Sequence, residues 1–283
     1  MTSVQMKNIK KKFDKFSMYI PELKIPRGCI VGIIGENGSG KTTLLKIIAS
    51  IQNIDSGYLD ILGIGANELK PTDLQNIGII FQDIHFPKNM TVQQIRKYCS
   101  MSFINWDNDT FNKLLEEFQI AKSSKFSTLS AGMKSKVFFA IALSHHAQLL
   151  LLDEALSGLD PIARDLALKK LSEFIEDENN TVLISSNIVS DFEKNTDYIL
   201  FLSNGEIKIF ESIENLRENY MVCDYDDLKE SGISDKCIQG IQKNEFSTDA
   251  LIDISKFNKK FNISLRRTTL EEIVIFMGGN QHA

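Results

Sequence analysis

The stretch Gly35-Glu36-Asn37-Gly38-Ser39-Gly40-Lys41-Thr42 fits the pattern G-x-x-x-x-G-K-[ST], in which a glycine-rich loop cradles phosphate groups. The apolar segment 29–34 before it predicts a buried strand, and the segment 42–49 after it predicts a helix. Glycines let the backbone approach phosphate oxygens closely, and the N–H groups at the helix start then point at the anion. Lys41 is expected to reach the β- and γ-phosphates, and the Thr42 hydroxyl to ligate Mg²⁺. The sequence therefore predicts a nucleotide-phosphate site.

The composition is that of an ordinary globular protein and restricts the class of partner. The 283 residues are 43% hydrophobic and 24% charged, with a formal net charge of −5, which argues against nucleic acid as a main partner. The four cysteines form no C-x-x-C pair, so they suit a reducing cytoplasm and indicate neither a disulfide framework nor a zinc site. No apolar run approaches the roughly 18 residues of a membrane span, and the N-terminus lacks a signal-peptide core. Membrane contact is therefore expected only through a partner.

The periodicity of apolar residues predicts an α/β core followed by a smaller α+β unit. Strand patterns occur at 3–9, 18–25, 56–62, 77–81, 149–152, 181–185 and 198–202, and helical patterns at 91 onward, 109–118, 131–144 and 161–176. The nearly all-apolar strands 149–152 and 181–185, separated by a long helix, are typical of a parallel sheet covered on both faces. Ser203-Asn204-Gly205-Glu206 predicts a two-residue hairpin turn, and the core is expected to end near residue 210. Near the C-terminus, Thr268 with Glu271 or Thr269 with Glu272 can form a capping box.

Two other stretches carry groups for phosphate chemistry. Leu149–Leu152 is followed by Asp153 and Glu154, so that one carboxylate can hold Mg²⁺ and the next can orient and deprotonate a water molecule. Leu129-Ser130-Ala131-Gly132-Met133-Lys134 combines a serine cap, a close-approach glycine and a helix N-terminus, which together make a second phosphate-binding surface. Taken alone, this stretch is more typical of a plain N-cap.

These motifs together resemble the ATP-binding-cassette (ABC) family over residues 4 to about 210. The phosphate loop, Gln82, Leu129–Lys134, Asp153–Glu154 and Ser157-Gly158-Leu159-Asp160 occur in that family's order and spacing. The resemblance implies a P-loop NTPase cassette with a mixed, largely parallel sheet, an antiparallel β subdomain and an inserted α-helical subdomain at about 84–147. Residues 1–210 are then the cassette, and residues 211–283 a small α+β C-terminal accessory domain.

The resemblance also implies a role for individual residues around ATP and Mg²⁺. Phosphate contacts are expected from Asn37, Gly38, Ser39, Gly40, Lys41, Thr42 and Thr43; metal contacts from Thr42, Gln82 and Asp153; and catalysis from Glu154, Gln82 and Asn187. Phe13 matches the aromatic residue that stacks on adenine, with Phe16 as the alternative, although Phe13 could equally be a core residue. Ser130, Gly132 and Asp160 are expected to serve the nucleotide held by the other cassette of a head-to-tail dimer.

Asn187 departs from the family pattern, which has a histidine at this position. An asparagine amide can donate a hydrogen bond to the γ-phosphate, but it cannot carry a positive charge. The hypothesis is an ATPase that is slow or relies on a partner's competent site. A degenerate or regulatory cassette that binds ATP with little hydrolysis is the alternative, against which the intact Glu154 argues. Ala155-Leu156 replaces the usual proline followed by threonine or serine, which is expected to loosen the turn that leads into the loop Ser157–Asp160.

Shorter stretches resemble the exporter ATPases of Gram-positive bacteria that handle bacteriocins, lantibiotics and phenol-soluble modulins. They are Trp106-Asp107, Ala140–His145, Gly158–Pro161, Asp191–Lys194 and Thr269–Ile273. This likeness implies a homodimer or heterodimer of ATP-binding subunits, peripheral on the cytoplasmic face of the membrane, that powers export of peptides or other amphipathic or toxic compounds. It also implies an integral membrane subunit, whose cytoplasmic helix is expected in a groove near residues 83–106.

Four apolar residues are the candidates for that groove, and each could equally belong to the core of the helical insert: Phe86, Met90, Phe103 and Trp106. A soluble ABC ATPase of translation or DNA repair is the remaining alternative. It is disfavoured because the chain has one phosphate loop, no zinc cysteines and no long coiled coil.

Overall fold

The computed structural model describes residues 1–231, 237–244, 247–256 and 263–278 of the chain. A six-stranded sheet of order β10-β9-β3-β8-β7-β6 forms its centre. Its strands are β3 (Cys29–Ile34), β6 (Ile77–Ile80), β7 (Leu149–Asp153), β8 (Thr181–Ser185), β9 (Tyr198–Ser203) and β10 (Glu206–Ser212). The pairs of β3 with β8 and β9, and of β7 with β6 and β8, are parallel, whereas β10 joins β9 antiparallel. The predicted parallel core is confirmed.

Alternate residues of the central strands pack against different layers, as expected for a sheet covered on both faces. Leu149 and Leu151 of β7 lie with α1 (Lys41–Ile48) and the antiparallel sheet, whereas Leu150 and Leu152 lie with the helical insert. Because the carboxyl ends of parallel strands meet at one edge, the residues that follow β3, β6, β7 and β8 converge there. This edge carries the candidate site.

The antiparallel sheet, of order β2-β1-β4-β5, lies against α1 and the central sheet. It consists of β1 (Thr2–Lys12), β2 (Ser17–Pro26), β4 (Ser56–Ile61) and β5 (Ile64–Gly65). The predicted hairpin that closes the central sheet is also present, because Asn204 and Gly205 both have positive φ (48° and 75°), as a type I′ turn requires.

The inserted helices are α2 (Val92–Ser102), α3 (Asn108–Glu117) and α4 (Ala131–Ala142), followed after β7 by α5 (Pro161–Phe174). Helix α2 begins with a capping box, since the Thr91 hydroxyl accepts from the Gln94 N–H while the Gln94 side chain accepts from the Thr91 N–H. Helix α4 is buried only over 137–142, because its first half meets the loop 157–160 at the surface. The first part of α4, 131–136, is therefore exposed or half-buried.

After the central sheet come α6 (Ile213–Asn219), β11 (Tyr220–Asp224), α7 (Tyr225–Glu230), β12 (Ile238–Lys243), β13 (Thr248–Asp253), β14 (Arg266–Arg267) and α8 (Leu270–Gly278). The four strands form a sheet of order β12-β13-β11-β14. Thr269 and Glu272 form the capping box of α8, which selects the second of the two predicted registers.

The central sheet ends close to the predicted residue 210, but apolar packing continues beyond it. The central sheet ends at Ser212, but Ile213 and Leu216 of α6 and Ile273 and Phe276 of α8 belong to the same buried cluster as the sheet. The division into domains at 1–210 and 211–283 stays a prediction. Within the described ranges, no helix is both long enough and apolar enough to cross a membrane.

Candidate functional site

The loop between β3 and α1 has the backbone geometry of a phosphate cradle. Gly40 directly precedes the first helical residue with φ 108°, a conformation that residues with a side chain rarely adopt. A Cβ atom on Gly35 would overlap the carbonyl oxygen of Leu202, so the loop can lie this close to β9 only with glycine at that position. Asn37 and Gly38 form the exposed tip. The loop therefore presents backbone N–H groups at the start of α1, where an anion is favoured.

Lys41 and Ser39 have the donor groups that a phosphate would accept from. The Lys41 Nζ donates to the carbonyl oxygens of Gly35 and Glu36 at 2.6 and 3.1 Å. Burial lowers the pKa of Lys41, while Glu154 and Asp153 oppose that shift. The Ser39 hydroxyl is buried and has no hydrogen-bond partner in the described part of the chain. A buried hydroxyl without a partner is costly, so the residues present fit a phosphate ligand.

Asp153 lies at the tip of β7 with both carboxylate oxygens bonded. The Thr42 hydroxyl donates to Oδ2 at 2.7 Å, and the Ser185 hydroxyl donates to Oδ1 at 2.8 Å. The parallel register places Asp153 beside Ser185 of β8. Thr42 and Asp153 thus bring together a hydroxyl and a carboxylate, the oxygen ligands that Mg²⁺ prefers, so the donor set fits this metal.

Ser185 is a site residue that sequence reasoning missed. Besides donating to Asp153, its hydroxyl accepts from the Glu154 N–H at 2.9 Å and so fixes both successive carboxylate residues. No local signal in the sequence marks this role, because it depends on the pairing of β8 with β7.

Glu154 is clamped between Gln82 and Asn187. The Asn187 Nδ2 donates to Oε1 and the Gln82 Nε2 donates to Oε2, each at 2.9 Å. The backbone of Glu154 has φ 49°, a left-handed conformation that is strained for a non-glycine residue and is common at functional sites. The three residues predicted to be catalytic therefore lie together, next to Asp153 and the phosphate loop.

The second predicted phosphate surface lies apart from this cluster. Ser130 caps α4 by accepting from the Met133 N–H at 3.2 Å, and a Cβ on Gly132 would overlap the Gly158 carbonyl oxygen. Asp160 caps α5 through the Ala163 N–H and pairs with Lys136, and these two contacts lower its pKa. Ser130 and Asp160 are exposed, and none of their hydrogen bonds within the described chain reaches the phosphate loop.

The two aromatic candidates for adenine lie at different distances from the loop. The Phe16 ring packs beside Gly40 of the phosphate loop. It is so close that a Cβ atom added to Gly40 would lie 2.7 Å from the ring. Phe13 is half-buried, its ring centroid lies 6.0 Å from that of Phe16, and the Lys11 ammonium lies 5.5 Å from its centroid. The choice between them stays a prediction.

The four apolar candidates for the partner groove pack against the main core. Phe86 stacks on Phe138 at 5.8 Å between centroids, and Phe103 stacks on His145 at 4.2 Å. The strongly exposed apolar side chains of this region are instead Tyr98, Met101 and Ile104.

A groove that sequence reasoning did not anticipate runs between the site and α8. It has a volume of about 560 Å³ and is lined by Gly35, Glu36, Asn37, Asn187, Val274 and Ile275 together with apolar side chains of β3, β9 and residue 189. Helix α8 thus reaches the neighbourhood of Asn187 although it is far away in the sequence.

Known proteins share this sequence pattern and fold. The family described as ABC transporter matches residues 20–157. The chain is 31% identical over 221 residues to the lantibiotic transport ATP-binding protein SrtF of Streptococcus pyogenes, covering 76% of this chain and 94% of that protein. It is 28% identical to the bacitracin transport ATP-binding protein BcrA of Enterococcus faecalis, covering 72% of this chain and 67% of that protein.

The fold is likewise that of a solved ATP-binding cassette. That structure, a dimeric post-hydrolysis state bound to ADP and Pi, superposes with a TM-score of 0.64 at 22% identity over 74% of this chain and 98% of its own. The coverage of SrtF and the family match together establish that this chain is a member of the ABC transporter ATP-binding protein family.

Proposed function

We propose that the chain binds ATP with Mg²⁺ and hydrolyses it to power an exporter. The observation that carries this proposal is the placement of two successive carboxylates beside the phosphate loop. Asp153 is bonded to the Thr42 hydroxyl at 2.7 Å, and the next residue, Glu154, is held by two amides. Mg²⁺, when bound by Thr42 and Asp153 with Gln82 nearby, would offset phosphate charge.

Hydrolysis needs a base, a held water molecule and stabilisation of the transferring phosphoryl group. Glu154 is the base in this proposal, because each of its oxygens accepts only one amide hydrogen bond and has a lone pair left for a water proton. Lys41 and the N–H groups of residues 37–43 stabilise the phosphate oxygens. Binding ATP would draw the Lys41 ammonium from the carbonyls of Gly35 and Glu36 to the phosphates.

We infer that the complete site needs two cassettes. The exposed Ser130 and Asp160, with the half-buried Gly132, form a surface whose hydrogen bonds stay within its own part of the chain. Such a surface can close over the nucleotide of a second copy, or of a related subunit, about a two-fold axis. A related fold is known in a dimeric form, which supports this arrangement.

The proposed partner is an integral membrane transporter subunit, with the cassette peripheral on the cytoplasmic side. Two relatives are named as transport proteins for a lantibiotic and for bacitracin. Their names support a peptide or another amphipathic compound as the transported cargo. Tyr98, Met101 and Ile104 expose apolar surface on the helical insert, which is suited to contact with a partner helix.

Steady-state ATPase activity of the purified chain tests the enzymatic proposal. Glu154→Gln keeps the shape of the side chain but removes the base, so kcat should fall by about a hundredfold or more. Glu176→Gln, at an exposed glutamate, is the matched control and should be unaffected. Equal rates for the wild type and Glu154→Gln would contradict the assignment.

A regulatory cassette that binds ATP with little turnover is the second candidate. The uncharged Asn187 at the position of the family's histidine favours it. ATP binding by the wild-type chain with hydrolysis no faster than in Glu154→Gln would select this candidate over the exporter engine.

A further inference from the structure

An ion pair between the partly exposed Arg164 and the buried Asp191 lies behind the catalytic cluster and is not part of it. The Arg164 Nη1 of helix α5 lies 3.4 Å from Oδ1 of Asp191, whose side chain is only 8% exposed. Removing one member of such a pair leaves a buried charge without compensation, so the pair constrains the segments that it joins.

Asp191 holds the segment that carries Asn187. Its Oδ2 accepts from the buried Ser186 hydroxyl at 3.4 Å, and that hydroxyl in turn accepts from the Ile188 N–H at 3.0 Å. The Asp191 N–H donates to the Ile188 carbonyl at 3.3 Å. The residues on both sides of Asn187 are therefore tied to the Asp191 carboxylate, while the Asn187 side chain is left exposed toward Glu154.

Arg164 holds the segment that carries Glu154. Its second terminal nitrogen, Nη2, donates to the carbonyl oxygen of Leu156, two residues after Glu154, at 3.4 Å. The guanidinium fork thus joins the turn after β7 to the segment after β8. These are the two segments whose side chains meet in the bond between Asn187 and Glu154.

We propose that Arg164 and Asp191 are positioning residues for hydrolysis, which set the distance between the Asn187 amide and the Glu154 carboxylate. The proposal rests on the proposed ATPase function. Both residues act through others, since their contacts go to Ser186 and Leu156 and not to the phosphate loop. Loosening the pair should lower kcat by about ten- to a hundredfold, because small misplacements of reacting groups have effects of that size.

The test is steady-state ATPase kinetics of the full chain with Asp191→Asn and Arg164→Lys. We expect a lower kcat for both with the KM for ATP changed by less than about twofold, since the phosphate loop is untouched. Arg164→Lys keeps the charge but has one ammonium in place of two guanidinium ends, so its loss should be smaller. If a thermal melt shows that Asp191→Asn does not fold, Arg164→Lys still tests the proposal.

Lys170→Gln is the matched control, because it breaks two ion pairs of α5, those with Glu117 and Glu173, about two turns along the helix from Arg164. Its kcat should equal that of the wild type.

A double variant separates positioning from general loss of structure. If the pair acts through Asn187, Asp191→Asn should lower kcat no further in an Asn187→Ala background. The same fold-loss in both backgrounds, or a folded Arg164→Lys as active as the wild type, would overturn the inference while leaving the ATPase function intact. A wild-type chain without ATPase activity would instead count against the proposed function itself, and the inference would fall with it.

Discussion

Asn187 stands at a position where the resemblance to ABC cassettes implies a histidine. Its amide donates to Glu154 and can turn to a γ-phosphate, but it brings no charge to the transition state. Electrostatic donors aimed at developing charge commonly contribute about 2.7–4 kcal/mol, so an uncharged donor at this position should limit turnover.

Replacing Asn187 with histidine should therefore accelerate ATP hydrolysis by about tenfold or more. The imidazole can carry a proton and place positive charge near the γ-phosphate oxygen. The measurement is kcat in a steady-state phosphate-release assay. Asn187→Ala, which lacks any donor, should be slower than the wild type, and an unchanged rate for Asn187→His would refute the hypothesis.

At the scale of elements, the helical insert depends on caps that the sequence encodes locally. Thr91, Asp107 and Ser130 begin α2, α3 and α4, and each side chain accepts a backbone N–H of the first turn. Helix α3 begins at Asn108, one residue earlier than the apolar pattern indicated, because Asp107 bonds the N–H groups of Asp109 and Thr110.

Asp107→Ala should lower the free energy of unfolding by about 1 kcal/mol near neutral pH, measured by urea denaturation. The Thr110 hydroxyl and N–H groups donate to Asp107 and lower its pKa below the ordinary value of 3.8. The unfolded state therefore binds the proton more tightly, and this stabilisation is complete above that value and is lost as the pH falls through the folded-state pKa.

The stability difference between the wild type and Asp107→Ala should accordingly shrink below about pH 4. Asp109→Ala removes a charge from the same turn without removing a cap, and should change stability by less than about 0.5 kcal/mol. A difference that is independent of pH would show that Asp107 does not cap α3 as a carboxylate.

The elements and the phosphate loop could be predicted because their signals are local. Apolar strands, caps, glycines and the Asn204-Gly205 turn are each readable within a few residues. Ser185 and the Arg164–Asp191 pair could not be predicted, since both depend on which strand ends and loops lie side by side. The extension of the core into α8 was missed for the same reason, because packing of distant segments leaves no periodicity of its own.

For the whole molecule, the exposed apolar patch of the helical insert is the expected contact with a membrane subunit. The replacements Met101→Ser and Ile104→Ser remove side chains that are 79% and 73% exposed, so folding and ATP binding should be preserved. We expect copurification with the membrane subunit to be lost. Ile51→Ser, at a residue that is 56% exposed and lies outside the helical insert, is the control. Retained copurification of the double variant would place the contact elsewhere.

We infer that one chain holds half of the ATP site and that ATP joins two cassettes. Sedimentation velocity of Glu154→Gln with ATP and Mg²⁺ tests it most directly, because binding is kept while hydrolysis is blocked. We expect this variant to shift from monomer to dimer with ATP and to stay a monomer with ADP. A monomer under both conditions, with ATP shown to be bound, would contradict it.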